Sequence, residues 1–314
     1  MLGWLDRYSG SGHDSLRDGT RREYRRLLTT FALRYFDREL RLRDLDAAKL
    51  QQFVDWLTSR PGRNGRLSDS SIANALVPLR LALDAAVAEG VLAENPAAAL
   101  VLPRRRGGRA WQFTERRFLS REELARLLAE VPERWRPLIE LLAATGLRIS
   151  EAIGLRWSDL DLDAEPPRLR VVRAIVKGAV VAPKSPNGLR VVPVPPALAR
   201  ELRTLRPLDG APDAPVFPGR GGRPASPTNL RLRALAPATE RAKLPGVSFH
   251  TLRHTCASLL IESGASPLRL QRRMGHHSAA YTLDAYGHLI DGELGPALDL
   301  GVELRANGRR RAGG

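Results

Sequence analysis

Apolar residues recur at helical spacing through the first hundred positions of the chain. The segment "TRREYRRLLTTFALRYFDREL" begins with Thr20 and has Glu23 three residues later, a reciprocal cap that predicts a helix from 20 to 38. The same period continues through "DAAKLQQFVDWLTSR" and "SSIANALVPLRLALDAAVAEGVL", after which glycine and proline end the pattern. Residues 1–102 are therefore predicted to form a small all-helical domain.

A second folded unit is predicted beyond a basic connection. Residues 103–116 open with "PRRRGGRA", whose arginines and glycines bury nothing, so this stretch is predicted to be an interdomain linker. Ser120 and Glu123 then repeat the capping pattern at the start of a helix. Gly146 ends the following helix, "RPLIELLAATG". The second unit is predicted to span residues 117–304.

β-branched residues interrupt the helical pattern in the middle of this second unit. The segments "RLRVVRAIV" and "LRVVPV" flank the turn-rich "APKSPNG", which predicts a small antiparallel sheet. Helical spacing returns near residue 226 and is broken at Pro237, while residues 305–314 are predicted to be a disordered basic tail. The predicted fold class is mainly α with a small antiparallel β-sheet, in which a helical domain precedes a mixed α+β domain.

The charge of the chain indicates the kind of partner it binds. Its 314 residues include 50 Lys and Arg against 34 Asp and Glu, which leaves a formal net charge of +16. This excess predicts a large anionic partner, most simply the phosphate backbone of a nucleic acid, although an arginine-rich protein from a GC-rich genome is the alternative. Cys256 is the only cysteine, and no signal peptide or apolar run of ~18 residues is evident. We therefore expect a cytoplasmic protein with no membrane partner.

The segment "HTLRHT" places His250 and Arg253 three residues apart, so both side chains leave the same face of a helix. An imidazole beside a guanidinium can bind an anion and exchange a proton, although a buried histidine and a surface arginine fit the same spacing. His254 follows His250 by four residues, as in helical zinc pairs. Because Thr251 replaces the usual glutamate and no third ligand accompanies Cys256, we expect no metal.

Two further basic residues are candidates because of their position and type. Arg148 follows the helix end at Gly146, where a side chain can point across a cleft, although an ordinary exposed arginine is the alternative. Only four of the 50 basic residues are lysine. Lys184 lies in the predicted sheet turn, where an amine can give up a proton near neutral pH as arginine cannot. Lys177, at the end of the preceding strand, is its rival.

Two tyrosines lie in "MGHHSAAYTLDAYGHL", and residue chemistry alone does not choose between Tyr281 and Tyr286. With the preceding segments, this stretch resembles the tyrosine recombinases, the phage integrase family that performs site-specific DNA recombination. "TGLRISEAIGLRWSDLDL" is similar to the family's first arginine box, "HTLRHTCASLLIESGASPLRLQRRMGHHS" to its H-x-x-R box, and "TLDAYGHL" to its nucleophile box. Their order and spacing match from residue 145 to residue 289.

The resemblance implies an active site formed by Arg148, Lys184, His250, Arg253, His276 and Tyr286. Lys184 matches the family's hairpin lysine through "APKSPNGLRVVPVP", whereas Tyr281 inherits no role. Met274 replaces a common leucine, and His277 replaces a usual small residue beside His276. The first domain is similar to the family's core-binding domain. Many phage integrases carry an additional arm-type DNA-binding domain at the front that this sequence lacks, so we expect a simpler recombinase or a truncated chain.

The reaction of the family suits these residue types. A phenol with a pKa of about 10 is a poor nucleophile at neutral pH unless cations neutralise the oxygens of its phosphate target. The resemblance implies that Tyr286 attacks a DNA phosphodiester to form a 3′-phosphotyrosine, and that Lys184 protonates the departing 5′ oxygen. It also implies that His250 acts as acid or base on the tyrosine side and that His276 binds a phosphate oxygen. No ATP, metal or other cofactor is implied.

The implied partner is double-stranded DNA, bound by a homotetramer on paired sites, with a monomer or weak oligomer when the protein is free. A terminal amphipathic helix in "LIDGELGPALDLGVEL" is expected to dock into a neighbouring subunit. Two alternatives remain at the level of sequence. A type IB topoisomerase uses the same catalytic arrangement to relax DNA, and a DNA-binding regulator that never cuts would explain the charge alone.

Overall fold

The chain folds into two compact units, each with its own hydrophobic core, Met1–Gln112 and Phe113–Gly314. The structure is a computed structural model, and it describes residues 2–8, 16, 18–37, 39–62, 65–102, 117–183, 186–207, 211–276, 278, 283 and 286. The division between the units falls within the predicted linker, whose residues 103–116 lie outside the described part of the chain. The predicted terminal helix and basic tail also lie outside it.

The first unit is built almost entirely from helices. They are α1 (Leu2–Arg7), α2 (Asp18–Leu27), α3 (Leu33–Tyr35), α4 (Ala47–Ser59) and α5 (Asp69–Ala88). Two short strands, β1 (Pro61–Gly62) and β2 (Gly65–Arg66), pair antiparallel between α4 and α5. Within the described residues of this unit, the two-residue ladder is what departs from the expected all-helical domain.

The core of the first unit forms around α5. Its buried residues Ile72, Leu76, Leu79 and Leu83 recur every three or four positions, so they line one face of the helix. Among the described residues, α5 is the one helix that is long and apolar enough to cross a bilayer by length and composition alone, although it contains Arg80 and Asp84. The burial of this face in the core accounts for its apolar composition.

The predicted reciprocal cap at the start of α2 is wrong. The helix begins at Asp18, so Thr20 lies inside it, and the helical path continues through a wider π-turn at Leu28–Ala32 into α3. Glu23 forms an ion pair with Arg26 one turn further along, with Nη2 of Arg26 2.6 Å from Oε1. The aspartate in the first turn gives the N-terminus of the helix a favourable negative charge.

The second unit combines helices with two small antiparallel ladders. Its helices are α6 (Arg121–Glu130), α7 (Arg136–Thr145), α8 (Ile149–Ala152), α9 (Pro196–Thr204), α10 (Pro227–Leu230), α11 (Ala236–Arg241), α12 (Phe249–Glu262) and α13 (Pro267–Met274). Its strands are β3 (Leu160–Asp161), β4 (Arg168–Val171), β5 (Ala174–Val176), β6 (Ala179–Val181) and β7 (Arg190–Pro193). The predicted mainly α fold with a small antiparallel sheet is confirmed.

The strands divide into a sheet and a separate hairpin. Strand β4 lies between β3 and β7, with Leu169 opposite Val192, while β5 and β6 pair only with each other. Lys177 and Gly178 form the turn of that hairpin, with φ values of +52° and +80°. Lys177 is therefore a turn residue, which corrects its placement at a strand end. Lys184 lies outside the described residues.

The predicted helix break at Pro237 is also wrong. Helix α10 continues through a π-turn, Arg231–Leu235, directly into α11, and Pro237 occupies the first turn of α11. Pro237 has no N–H to donate, and the π-turn immediately before it already interrupts the regular bonding to the residue four positions back. The helical path therefore accommodates the proline without a break.

Two predicted helix signals in the second unit are confirmed. Ser120 and Glu123 cap α6 reciprocally, with the amide of Ser120 3.1 Å from Oε2 of Glu123 and the amide of Glu123 3.2 Å from Oγ of Ser120. Gly146 ends α7 in the left-handed conformation, with φ of +69°. Helix α7 packs against α12 in the core, which brings the end of α7 beside the helix that carries the H-x-x-R segment.

Candidate active site

Arg148 lies between the end of α7 and the start of α8. The turn at Gly146 approaches Met274 so closely that an added Cβ would lie 2.6 Å from Sδ, which explains the need for glycine. The side chain of Arg148 is 43% exposed, and its Nη1 donates to Oε1 of Glu151 at 2.7 Å. Arg148 is thus fixed at one side and open to solvent at the other.

Glu151 and Arg190 form a buried ion pair behind Arg148. Their side chains are 5% and 6% exposed, and Nη2 of Arg190 lies 2.8 Å from Oε2 of Glu151. The same carboxylate accepts the backbone N–H of Arg148 at 2.9 Å. Burial alone would raise the pKa of Glu151, but the hydrogen bonds and charges of Arg190 and Arg148 hold it below its ordinary value. The carboxylate therefore stays ionised and stabilises both guanidinium groups.

Arg190 also connects β7 to the end of α13. Its Nε donates to the carbonyl of Arg273 at 2.9 Å, and its Nη1 donates to the carbonyl of Gly188 at 3.1 Å. Asn187, which precedes Gly188 in the chain, donates through Nδ2 to the carbonyl of His276 at 3.2 Å. The chain segment that follows Lys184 is therefore tied to the segment that carries His276.

Arg253 is the most deeply buried of the predicted site residues, at 2% exposure. Its two terminal nitrogens donate to the backbone carbonyls of Gly146 and Met274. Burial, followed by the charge of Arg148, lowers the pKa of Arg253 to about 10. The phenol of Tyr286 acts on the same guanidinium in the opposite direction, so the two groups lie within electrostatic reach of each other.

The two histidines of α12 differ in exposure. His250 is exposed, although Arg253 three residues later is buried, so the shared helix face does not give the two side chains a shared environment. The rings of His250 and His254 meet edge to face, with centroids 4.6 Å apart. His254 is buried, and its Nδ1 lies 2.7 Å from Oη of Tyr286. Among the described residues, no group of three or more His, Cys, Asp and Glu is placed to hold a metal ion.

Tyr286 and His276 complete the cluster. Tyr286 is 2% exposed and packs against Ala257, Leu270 and Met274. His276 is also buried, and its ring lies nearly parallel to the phenol, with centroids 6.3 Å apart. Tyr281 and His277 lie outside the described residues.

The structure thus brings Arg253, His276 and Tyr286 together. Arg148 binds Glu151, and its charge lowers the pKa of Arg253. Sequence reasoning missed Glu151 and Arg190, and it weighed His254 only as half of a zinc pair. The one local signal for Glu151 is its position three residues after Arg148, which places both on one helical turn.

Comparison with known proteins identifies the family of the chain. The model of the phage integrase family matches residues 117–293, and that of the phage integrase SAM-like domain matches residues 1–100. The chain is 34% identical over 252 residues to the tyrosine recombinase XerC of Xylella fastidiosa strain M23, covering 78% of this chain and 77% of that protein. It is 33% identical over 255 residues to tyrosine recombinase XerC of Xanthomonas campestris pv. campestris strain B100, covering 78% and 70%.

Solved structures share the fold along almost the whole chain. A Tn1549 transposon integrase in complex with a circular intermediate DNA superimposes with a TM-score of 0.72 at 18% identity, covering 99% of this chain and 98% of that one. A lambda integrase dimer bound to a COC′ core site gives 0.62 at 19% identity, covering 96% and 99%. A lambda integrase tetramer bound to a Holliday junction gives 0.62 at 19% identity, covering 95% and 80%.

These matches define a tyrosine-type site-specific DNA recombinase. The chain belongs to the phage integrase family of tyrosine recombinases. Membership of this family favours site-specific recombination over the topoisomerase and the non-cutting regulator that the sequence left open.

Proposed function

We propose that the chain cleaves and rejoins double-stranded DNA through a 3′-phosphotyrosine formed on Tyr286. The observation that carries the proposal is that Tyr286 packs against Met274, whose carbonyl accepts a hydrogen bond from the buried guanidinium of Arg253. A phenol attacks a phosphodiester where cations neutralise the phosphate oxygens and stabilise the added charge of the transition state.

Arg253 and Arg148 are the cations proposed for this role. In the described part of the chain, no carboxylate lies within ion-pair distance of Arg253, whose terminal nitrogens are held by uncharged carbonyls. Arg148 is held on one side by Glu151 and leaves 43% of its side chain exposed for an incoming phosphate. A guanidinium binds two phosphate oxygens at once, which orients the phosphorus as well as neutralising it.

The remaining site residues are assigned by chemistry and resemblance. Lys184 is proposed to protonate the departing 5′ oxygen, and His276 to hydrogen-bond a phosphate oxygen. His250, exposed in the first turn of α12, remains the proposed acid or base near the tyrosine. The phosphotyrosine conserves the energy of the broken phosphodiester bond, so a 5′-hydroxyl of a partner strand can reverse the step without ATP.

The domain organisation suits the same activity. Residues 1–102 are proposed to be a helical DNA-binding domain, residues 103–116 a basic linker, and residues 117–304 the catalytic domain. The net charge of +16 supports DNA as the partner, with an affinity that falls steeply as salt rises. Because the structures that share the fold include DNA complexes and one tetramer, we propose that this chain assembles as a tetramer on paired DNA sites in the cytoplasm.

Covalent trapping tests the proposal and needs no defined target site. A pool of duplexes with randomised sequence and nicks allows the cleaved end to diffuse away, so the enzyme stays attached to DNA and the adduct survives SDS. We expect the wild-type chain to form adducts and Tyr286→Phe to form none, because phenylalanine lacks the attacking oxygen. Tyr281→Phe is the matched control and is expected to keep adduct formation. Equal yields from the two variants would contradict the assignment, and sequencing the trapped DNA identifies a preferred duplex.

A further inference from the structure

The hydroxyl of Tyr286 already has a partner. Nδ1 of His254 lies 2.7 Å from Oη, at the distance of a good hydrogen bond, and the two rings are 5.6 Å apart between centroids. Both side chains are buried, so bulk water has little access to this contact. Neither the family resemblance nor the charge pattern assigns His254 any part in the reaction.

Attack on phosphorus requires that the phenolic proton leave Oη. A general base must lie about 2.6–3.2 Å from the proton-bearing atom and have a pKa near the working pH. An imidazole ordinarily has a pKa near neutral pH, and Nδ1 of His254 lies within the required distance of the Tyr286 hydroxyl. His250, to which the resemblance gives the acid or base role on the tyrosine side, is exposed and adjoins the ring of His254 edge to face. The proton acceptor proposed below is His254, which replaces His250 in that role.

We propose that His254 is a further catalytic residue, which holds the Tyr286 hydroxyl through Nδ1 and accepts its proton as the bond to phosphorus forms. This inference rests on the proposed function of Tyr286 as nucleophile. It requires the neutral imidazole to carry its hydrogen on Nε2, so that Nδ1 is the acceptor.

The step balances in atoms and charge. The Oη–P bond forms and the bond from phosphorus to the 5′ oxygen breaks, while the phenolic proton moves to Nδ1 of His254. The departing 5′ oxygen takes a separate proton from Lys184. In religation the 5′-hydroxyl attacks phosphorus and gives its proton to the neutral amine of Lys184. The Oη–P bond breaks, and His254 returns its proton to the phenolate oxygen of Tyr286 as that oxygen leaves.

Charged and titratable groups around His254 set the conditions for this transfer. His250 and Arg253 lie on the same helix as His254, α12. His276 contacts Tyr286, the hydrogen-bond partner of His254. Neighbouring elements contribute the charges that act on Arg253 or on Cys256 of α12. These are Arg148, which precedes α8, Glu151 of α8, Arg190 of β7 and Arg273 of α13. Four arginines, counting Arg253, therefore accompany one carboxylate in this part of the unit.

Two substitutions separate proton acceptance from mere hydrogen bonding. In His254→Asn the side-chain amide replaces Nδ1 nearly in place, so it can hold the hydroxyl but cannot take its proton. In His254→Leu both functions are lost. On the duplex recovered by trapping, we expect adduct formation at pH 7 to fall about 100-fold or more in both variants. An asparagine variant that matches the wild-type rate, or exceeds it, overturns the role of His254 as base.

The pH profile distinguishes this loss from a structural one. The wild-type rate is expected to rise as the imidazole loses its proton between about pH 5 and 8 and then to level off. In His254→Asn the rate is expected to keep rising toward the phenol pKa of about 10, so the gap between the two proteins narrows at pH 9. A constant gap at every pH would contradict proton transfer.

A duplex with a 5′-bridging sulfur separates the two proton transfers. A thiolate leaves without a proton far more readily than an alkoxide, because thiols have a pKa of about 8.5. This duplex is expected to restore adduct formation in Lys184→Ala and to leave His254→Asn slow. Rescue of His254→Asn to the level of Lys184→Ala would overturn the assignment.

A measurement on the folded protein without DNA keeps the test decisive if a variant is unstable. In ¹⁵N-histidine-labelled protein, the Nδ1 signals that move on Tyr286→Phe are those of His254 and His276, which both adjoin the phenol. The signal that persists in His276→Gln is that of His254, and we expect it to have the shift of an unprotonated ring nitrogen. A protonated Nδ1 overturns the inference. Failure of the wild-type chain to form any adduct would instead remove the proposed function, whereas wild-type adducts with an unaffected asparagine variant remove only the role of His254.

Discussion

Arg190 and Arg253 are both buried arginines near the same active site, but different groups hold them. Arg190 pairs with the carboxylate of Glu151 at 2.8 Å. Arg253 is bonded to two uncharged backbone carbonyls, and burial with the charge of Arg148 lowers its pKa to about 10. The charge of Arg190 is neutralised by a carboxylate of the fold, whereas the charge of Arg253 can be neutralised by an anionic ligand.

This difference assigns the two arginines to different tasks. A compensated, buried ion pair orients its neighbours, and removing one partner leaves the other charge buried and unpaired. A buried cation without a carboxylate destabilises the fold until an anion arrives, and it then binds that anion strongly because little water competes. We infer that Arg190 organises the site and that Arg253 acts on the phosphate.

The largest expected effect comes from replacing each arginine by methionine. Arg190→Met leaves the buried carboxylate of Glu151 with Arg148 alone, and we expect the free energy of unfolding to fall by about 3 kcal/mol or more. Arg253→Met removes an unfavourable buried charge together with its hydrogen bonds, so we expect a smaller loss of about 1–2 kcal/mol. Urea unfolding at pH 7 measures both, and a larger loss in Arg253→Met would contradict the comparison. Arg168→Met, in an exposed ion pair, is the control.

A second prediction concerns acid. The pKa of Glu151 is lower in the folded chain than its ordinary value near 4.3, so the unfolded chain takes up this proton first as the pH falls. The stability that Glu151 contributes is therefore complete above about pH 5 and is lost progressively as the pH falls through the lowered folded value. Each unit of difference between the folded and the unfolded pKa of Glu151 corresponds to about 1.4 kcal/mol in the free energy of unfolding.

Glu151→Gln isolates this contribution from those of the other carboxylates. We expect the wild-type chain to lose more free energy of unfolding between pH 6 and pH 3.5 than the variant does. Parallel curves for the two proteins would show that Glu151 does not carry this pH dependence.

The smallest expected effect on stability tests the contact between Arg190 and its neighbour Gly275. Gly275 and Gly264 have φ values of +63° and +80°, so alanine is strained at either position, by about 1–2 kcal/mol. A Cβ on Gly275 would also lie 2.9 Å from Nη1 of Arg190 and 3.0 Å from the carbonyl oxygen of Asn187, whereas Gly264 has open space. We expect Gly275→Ala to be the less stable variant by about 1 kcal/mol in thermal unfolding. Equal losses of stability in Gly275→Ala and Gly264→Ala would mean that the side chain of Arg190 moves aside at no cost in free energy.

The parts of the fold that the sequence predicts are those determined within one turn of chain. The cap at Ser120 and the left-handed end at Gly146 depend on neighbouring residues, and both are confirmed. The same reasoning fails at Thr20, because the helix already begins at Asp18, and at Pro237, because a π-turn lets the helix continue where a break is expected. A wider turn of this kind has no sequence signature as distinct as a capping residue.

The parts of the site that the sequence does not predict are contacts between distant segments. Glu151 and Arg190 are 39 positions apart, and His254 and Tyr286 are 32 apart. Composition and periodicity carry no information on such pairs, and the family resemblance supplies only the residues in its motifs. Packing of α7, α12 and α13 brings these segments together, so the pairs emerge only with the folded unit.

The anchoring of Arg253 has a consequence for how the protein tolerates change. Its two acceptors are main-chain oxygens, of Gly146 and Met274, and every amino acid supplies such an oxygen. Met274, which stands where the family commonly has leucine, therefore still accepts the hydrogen bond from the guanidinium of Arg253. Evolution or an engineer can vary the side chain at this position, within the volume that the neighbouring turn allows, while the path of the backbone still sets the direction of the Arg253 guanidinium.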